Sequence, residues 1–176
     1  MMLKLFLFVL LIPGFLSFKK DKPAYILYNS NGKKITFSKM ITELQKKEII
    51  LFGEIHNNPI AHWLQLELAI ELNKSKHLIL GAEMFESDNQ EGLNLYLKDS
   101  IINIELDTMV RLWKNYKTDY QPLVDYAKSN DLPFIATNIP RRYAAMVHKN
   151  GGFSALDSLS IKEKSWIAPL PIPFDS

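Results

Sequence analysis

Apolar residues in this chain fall into two rhythms. Short apolar runs at 25–28, 48–52, 77–80 and 133–136 are bounded by turn formers, the pattern of buried strands. The first run and its return at 34–37 flank Asn29-Ser30-Asn31-Gly32, which is hairpin turn chemistry. Between these runs the spacing lengthens to that of helices. Ser38 caps a predicted helix through about Lys46. Asn58-Pro59 is a helix start, with Asn as cap and Pro in the first turn, ahead of Ile60, Trp63, Leu64, Leu68 and Leu72. Further helices are predicted from Ser87 or Asp88 to about Leu97, over 107–116 and 121–128, and from Pro140 to Lys149 with Gly151-Gly152 as the stop. Strands alternating with helices predict an α/β fold: a mainly parallel sheet flanked by helices in βαβ units, with an N-terminal β-hairpin.

The two ends read differently. Residues 1–4 are a basic start, 5–12 are unbroken apolar, and Pro13-Gly14 follows before Lys19-Lys20-Asp21-Lys22. That layout predicts a signal peptide or N-terminal anchor over 1–18, hence export to the periplasm or cell envelope. Membrane association is expected only if the segment stays uncleaved. The run is short against the ~20 residues of a spanning helix. The body of the fold is expected over 24–165. Residues 166–176 form a Pro-rich extended tail, since Pro169, Pro171 and Pro173 exclude both helix and central strand. Such a stretch reads as the middle of a protein, so an incomplete domain is expected.

Composition narrows the chemistry. The chain has 176 residues, no cysteine and a net charge of +2. Absence of cysteine excludes disulfides, thiolate metal sites and a catalytic Cys. Near-neutral charge argues against nucleic acid as a partner. Seven scattered glycines form no phosphate-binding loop.

Polar residues gather where the predicted strands end. Gly53-Glu54-Ile55-His56, Gly81-Ala82-Glu83 and Thr137-Asn138 each follow an apolar run. In parallel sheets the ligand crevice lies outside the carboxyl ends of the strands. Glu54, His56, Glu83 and Asn138 are therefore expected to converge. His56 and Glu83 are candidate ligands for a divalent metal, and Glu54, His56 and Glu83 are candidate catalytic groups. His62 lies early in the next helix and can face the same crevice. Arg141 and Arg142 open a helix after Pro140, where guanidinium and backbone amides together suit an anion. Trp113, Tyr116, Tyr120 and Tyr126 make an aromatic stretch.

The segments Leu51-Phe52-Gly53-Glu54-Ile55-His56-Asn57-Asn58-Pro59, Gly81-Ala82-Glu83-Met84-Phe85, Trp113-Lys114-Asn115-Tyr116 with Asp119-Tyr120, and Ala136-Thr137-Asn138-Ile139-Pro140-Arg141 occur in this order. Together they resemble the ChaN-like haem-binding, iron-regulated bacterial proteins, over roughly 48–152. That family is similar in turn to the TraB/PrgY, Tiki and erythromycin-esterase proteins, which share a GxxH motif and a later Glu. Gly53 to His56 and Glu83 match these. The resemblance implies an exported protein that binds haem during iron uptake, without turnover. It also implies a homodimer holding haem between subunits, with tyrosine ligation and histidine near the propionates. Tyr116, Tyr120 and Tyr143 are the candidate haem ligands. The superfamily's alternative is a metal-dependent hydrolase, and a third reading is an inactive relic of a longer parent. Two departures matter: family members run on for about another hundred residues, and the usual lipoprotein Cys is absent.

Overall fold

Asn29 shapes the first element of the fold. Its side-chain oxygen accepts from the amides of Asn31 (3.1 Å) and Lys33 (2.9 Å), and Gly32 sits at φ +71°. This closes a minimal hairpin of β1 (Leu27–Tyr28) and β2 (Lys34–Ile35). The computed structural model describes residues 22–171; the leader at 1–18 and the last part of the tail lie outside the described residues.

Helix α1 (Phe37–Leu44) starts from Thr36, whose hydroxyl accepts from the Lys39 amide at 3.2 Å. The cap is Thr36 and not Ser38, because Thr36 is the last residue with extended backbone. Helix α2 (Pro59–Asn73) begins as its sequence predicts: Asn58 Oδ1 accepts from the amides of Ile60 (3.0 Å) and Ala61 (3.2 Å). Leu68 and Leu72 of α2 pack with Ile41 of α1 in a small core.

The main core lies beneath a parallel pair, β3 (Leu80–Glu86) and β4 (Phe134–Asn138), with Leu80 opposite Phe134 and Ala82 opposite Ala136. Between these strands the chain forms a 3₁₀ turn (Ser87–Asn89), α3 (Gln90–Leu97), α4 (Asn103–Met109), a single π-helical turn (Tyr116–Tyr120) and α5 (Gln121–Ser129). Phe85 is fully buried at the centre, edge-on to Phe134 (5.6 Å between centroids) and to Tyr116 (6.0 Å). After β4 come α6 (Arg141–Asn150), which ends at left-handed Gly151 (φ +74°), a 3₁₀ turn (Phe153–Leu156) and α7 (Ile161–Lys164). The class is the α/β class the pattern predicts, although among the described residues the parallel sheet has two strands.

Three elements differ from the sequence reading. Residues 48–52 form no strand and pair with none among the described residues. The second strand does not stop at Gly81 but runs to Glu86. Gly81 serves close packing there, since a Cβ would sit 3.0 Å from Thr137 Cγ2. The helix expected over 107–116 ends at Met109, because Asn89 Oδ1 captures the Arg111 amide at 2.8 Å and holds Val110 extended.

Gly92 marks the tightest helix contact. A Cβ there would lie 2.8 Å from Val110 Cγ2 and 3.2 Å from Met109 Cβ. Gly92→Val is expected to cost about 1–3 kcal/mol by overpacking, read as a lowered melting temperature; an unchanged one would contradict this packing.

Candidate functional site

The loop that carries Glu54 and His56 is irregular, so its backbone groups need partners from elsewhere. The His56 carbonyl accepts from His62 Nε2 at 3.0 Å and from Asn115 Nδ2 at 2.7 Å. The Asn58 amide donates to the Ile55 carbonyl at 2.8 Å. His62 is buried one turn into α2, so the helix start and the loop form one unit.

Glu54 is the hub. Its Oε1 accepts from the Tyr120 hydroxyl at 2.9 Å and lies 3.2 Å from His56 Nδ1. Its Oε2 accepts from Gln65 Nε2 at 2.6 Å and lies 3.3 Å from His62 Nδ1. Burial works against charge on this carboxyl. The hydrogen bonds from His56, Tyr120 and Gln65, with the charge of His62, outweigh it and hold Glu54 below the usual carboxylate range. A carboxylate only accepts, so in a neutral His56 the Nδ1 carries the proton and Nε2 the lone pair. The His56 side chain is 53% exposed, against 14% for Glu54. Its Nε2 has no protein partner among the described residues. Trp113 meets the His56 ring edge-on at 4.9 Å and the Tyr120 ring at 5.9 Å, while His62 meets Tyr120 at 4.5 Å. Asp119 completes the group, accepting from Asn115 at 2.8 Å, 3.9 Å from His62 Nε2.

The structure thus brings Glu54, His56, His62 and Tyr120 together. Glu83, exposed on β3, shares no hydrogen bond with them and lines a cleft of about 850 Å³ together with Glu54, His56 and Thr137. Among the described residues no group of three or more His, Asp or Glu side chains is placed to hold a metal ion. Asn138 ends β4 opposite Glu86.

The three candidate tyrosines are all buried. Tyr120 donates to Glu54; burial first, then that bond, raises its pKa. Tyr116 lies in the main core with an unpartnered hydroxyl, and burial raises its pKa too. The Tyr143 hydroxyl accepts from Arg142 at 2.9 Å and donates to Glu163 at 3.2 Å.

A second polar cluster escaped the sequence reading. Asp88 accepts from Arg111 and Arg142, and Glu86 accepts from Arg111 (2.8 Å) and from the Arg141 amide (3.0 Å). Glu86 thereby caps α6 with its own carboxylate. The Glu86–Ser87–Asp88 run at a strand end was the available signal; Arg111, over twenty residues away, could not be joined to it by spacing.

The chain thus joins an α/β scaffold to a GxxH loop that carries an oriented, half-exposed imidazole. The family model described as haem-binding uptake, Tiki superfamily, ChaN matches residues 40–176, and the chain belongs to that family. A solved structure of similar fold is the ChaN of Campylobacter jejuni with cofacially bound haem. It is 26% identical, with a TM-score of 0.58, over 70% of this chain and 52% of that one. Protein RETICULATA-RELATED 5, chloroplastic, of Arabidopsis thaliana is 28% identical over 135 residues, which is 72% of this chain and 18% of that protein. The chain therefore spans about half the length of the solved relative and less than a fifth of the plant one.

Proposed function

We propose that this protein binds haem at the C-terminal edge of the parallel sheet and does so without turnover, as a component of iron acquisition. The observation that carries this reading is His56: an exposed imidazole whose Nδ1 is held by a carboxylate, with Nε2 turned outward. A carboxylate behind the imidazole is the usual partner of a metal-ligating histidine. Haem, when bound, would supply an iron that accepts an imidazole ligand, an apolar ring and two propionates. The residues here suit such a group. Ile55 is 68% exposed beside His56, and Phe52 is exposed and lines the same cleft as His56. Arg141, exposed at the start of α6, is a candidate for the propionates. The buried positions of Tyr116, Tyr120 and Tyr143 favour His56 as the iron ligand over the tyrosines that the family resemblance implied.

In this reading Glu54 orients His56, and His62 with Asn115 fixes the loop by gripping its backbone. Both oxygens of Glu54 are engaged within the protein, which favours an orienting role over the metal-ligating role of the hydrolase alternative. A haem held at an exposed edge leaves room for a second copy on its far face, so a homodimer through haem is part of the proposal. Export rests on residues 1–18; no helix among the described residues is long and apolar enough to cross a membrane.

Titration with hemin tests the reading. A saturable Soret shift is expected for the wild type, with affinity lowered at least ten- to a hundredfold in His56→Ala. No saturable shift in the wild type sinks the haem reading.

A further inference from the structure

The near-neutral charge of the chain hides a division. Residues 19–47 carry eight lysines and two acidic residues, a net of +6, while 48–176 carry 12 basic and 17 acidic residues, a net of −5. Charge separated in this way along a chain acts on partners rather than on the fold. In the structure the basic share falls on the β1–β2 hairpin and α1, which hold none of the candidate site residues.

Alternation along β1 sorts the hairpin into two faces. Leu27 and Ile35 lie opposite each other and are half-buried on the inner face. Tyr25 belongs to that face and rests on Trp63 of α2, with 5.8 Å between ring centroids. The outer face carries Ile26, 44% exposed, and Tyr28, 61% exposed, with Lys34 directly opposite Tyr28. Lys33, also exposed, adjoins Lys34 at the turn. Neither of these two lysines is paired with a carboxylate among the described residues, whereas Lys39 and Lys46 share Glu43. A bare isoleucine and a bare tyrosine among free ammonium groups fit the boundary of an anionic bilayer. There a tyrosine sits at headgroup level, an apolar side chain reaches the acyl boundary, and lysines meet the lipid phosphates.

We infer that the outer face of the hairpin docks on a membrane surface rich in anionic phospholipid. Charge complementarity selects this occupant. Every cation in 19–47 is a lysine, a point charge suited to a diffuse anionic surface rather than a guanidinium fork for one fixed phosphate. A nucleic acid backbone would leave Ile26 in water, and a bilayer does not. The surface is distinct from the leader predicted over 1–18. A leader inserts through apolar length whatever the headgroup, while the hairpin depends on headgroup charge. No haem takes part, so this inference and the haem reading fail separately.

The test mixes the full chain with vesicles of phosphatidylcholine alone and of phosphatidylcholine with an equal part of phosphatidylglycerol. The chain has no cysteine, so Ser30→Cys at the exposed hairpin turn carries a single environment-sensitive fluorophore. Expected are a blue shift of the label on the anionic vesicles and an affinity for them at least tenfold higher than for the neutral ones. Salt raised from 0.1 M to 1 M shortens the screening length from about 10 Å to about 3 Å and removes that preference. Lys33→Ala together with Lys34→Ala leaves the melting temperature unchanged, since both are exposed, and weakens anionic binding about twenty- to thirtyfold, at roughly fivefold per lysine. Equal affinity for both vesicles, an unshifted label, or anionic binding that survives the double variant overturns the inference. An oligonucleotide that displaces the vesicles assigns the face to nucleic acid and overturns it. Self-association of the protein alone that the double variant abolishes makes a second copy the occupant and overturns it too.

Discussion

Glu54→Ala is expected to lower the unfolding free energy at pH 7 by about 3 kcal/mol. Three donors, His56, Gln65 and Tyr120, converge on this carboxylate, His62 Nδ1 lies 3.3 Å from it, and Tyr120 and His62 are buried too deeply to find water in its place. The loss falls on the loop as well, because His62 holds the His56 carbonyl. The cost depends on pH with a definite sign. Glu54 has a lower pKa in the folded protein than in the unfolded chain. Its stabilisation is therefore fully present above the unfolded carboxylate value of about 4.3, and fades as pH falls through the lower folded value. Urea unfolding of wild type and Glu54→Ala at pH 7 and at pH 3 should show a gap that narrows in acid. A gap under about 0.5 kcal/mol at pH 7 would show that the hub is not a hub.

Asp88→Ala is the second large effect, at about 2 kcal/mol, with a regional signature. The Asp88 side chain is 8% exposed and accepts from Arg111, Arg142 and Asn89. Arg142 carries the connection onward: its guanidinium lies 4.4 Å from the Tyr143 ring and 5.3 Å from the Trp166 ring. Ser87 Oγ donates to the Trp166 carbonyl at 2.7 Å. Both arginines are about half exposed, so solvent screening keeps the figure modest. Because these contacts tie α6 and the segment through Trp166 to the end of β3, limited proteolysis should cut the variant first after 153. Cleavage patterns equal to wild type would mean that this cluster does not hold the C-terminal segment.

How much of this was legible in the sequence depends on range. Asn58-Pro59 specified its cap and helix because every group involved lies within four residues. Glu54 and His56 stood out through a local motif, and their mutual contact is two residues apart. Gly81 misled, because a glycine that ends a strand and one that admits a neighbour's methyl look alike until Thr137 is placed opposite it. Residues 48–52 have a strand's composition, but pairing belongs to two segments, and the sequence of one does not disclose whether the other is present. The tyrosines show the same limit. Nothing local distinguishes Tyr116, with its hydroxyl in the main core, from a tyrosine facing a ligand. Tyr120 is bound to Glu54, sixty-six residues away, and that partnership appears only once the π-helical turn is packed against α2.

The central claim is that His56 meets the iron. The most direct measurement is the absorption and electron paramagnetic resonance spectrum of the ferric haem complex in wild type, His56→Ala, and His56→Ala with added imidazole. A wild-type spectrum of histidine ligation is expected, with its loss in His56→Ala and its return when free imidazole fills the vacated position. A His56→Ala spectrum identical to wild type, with Tyr120→Phe or Tyr143→Phe changing it instead, would contradict the account.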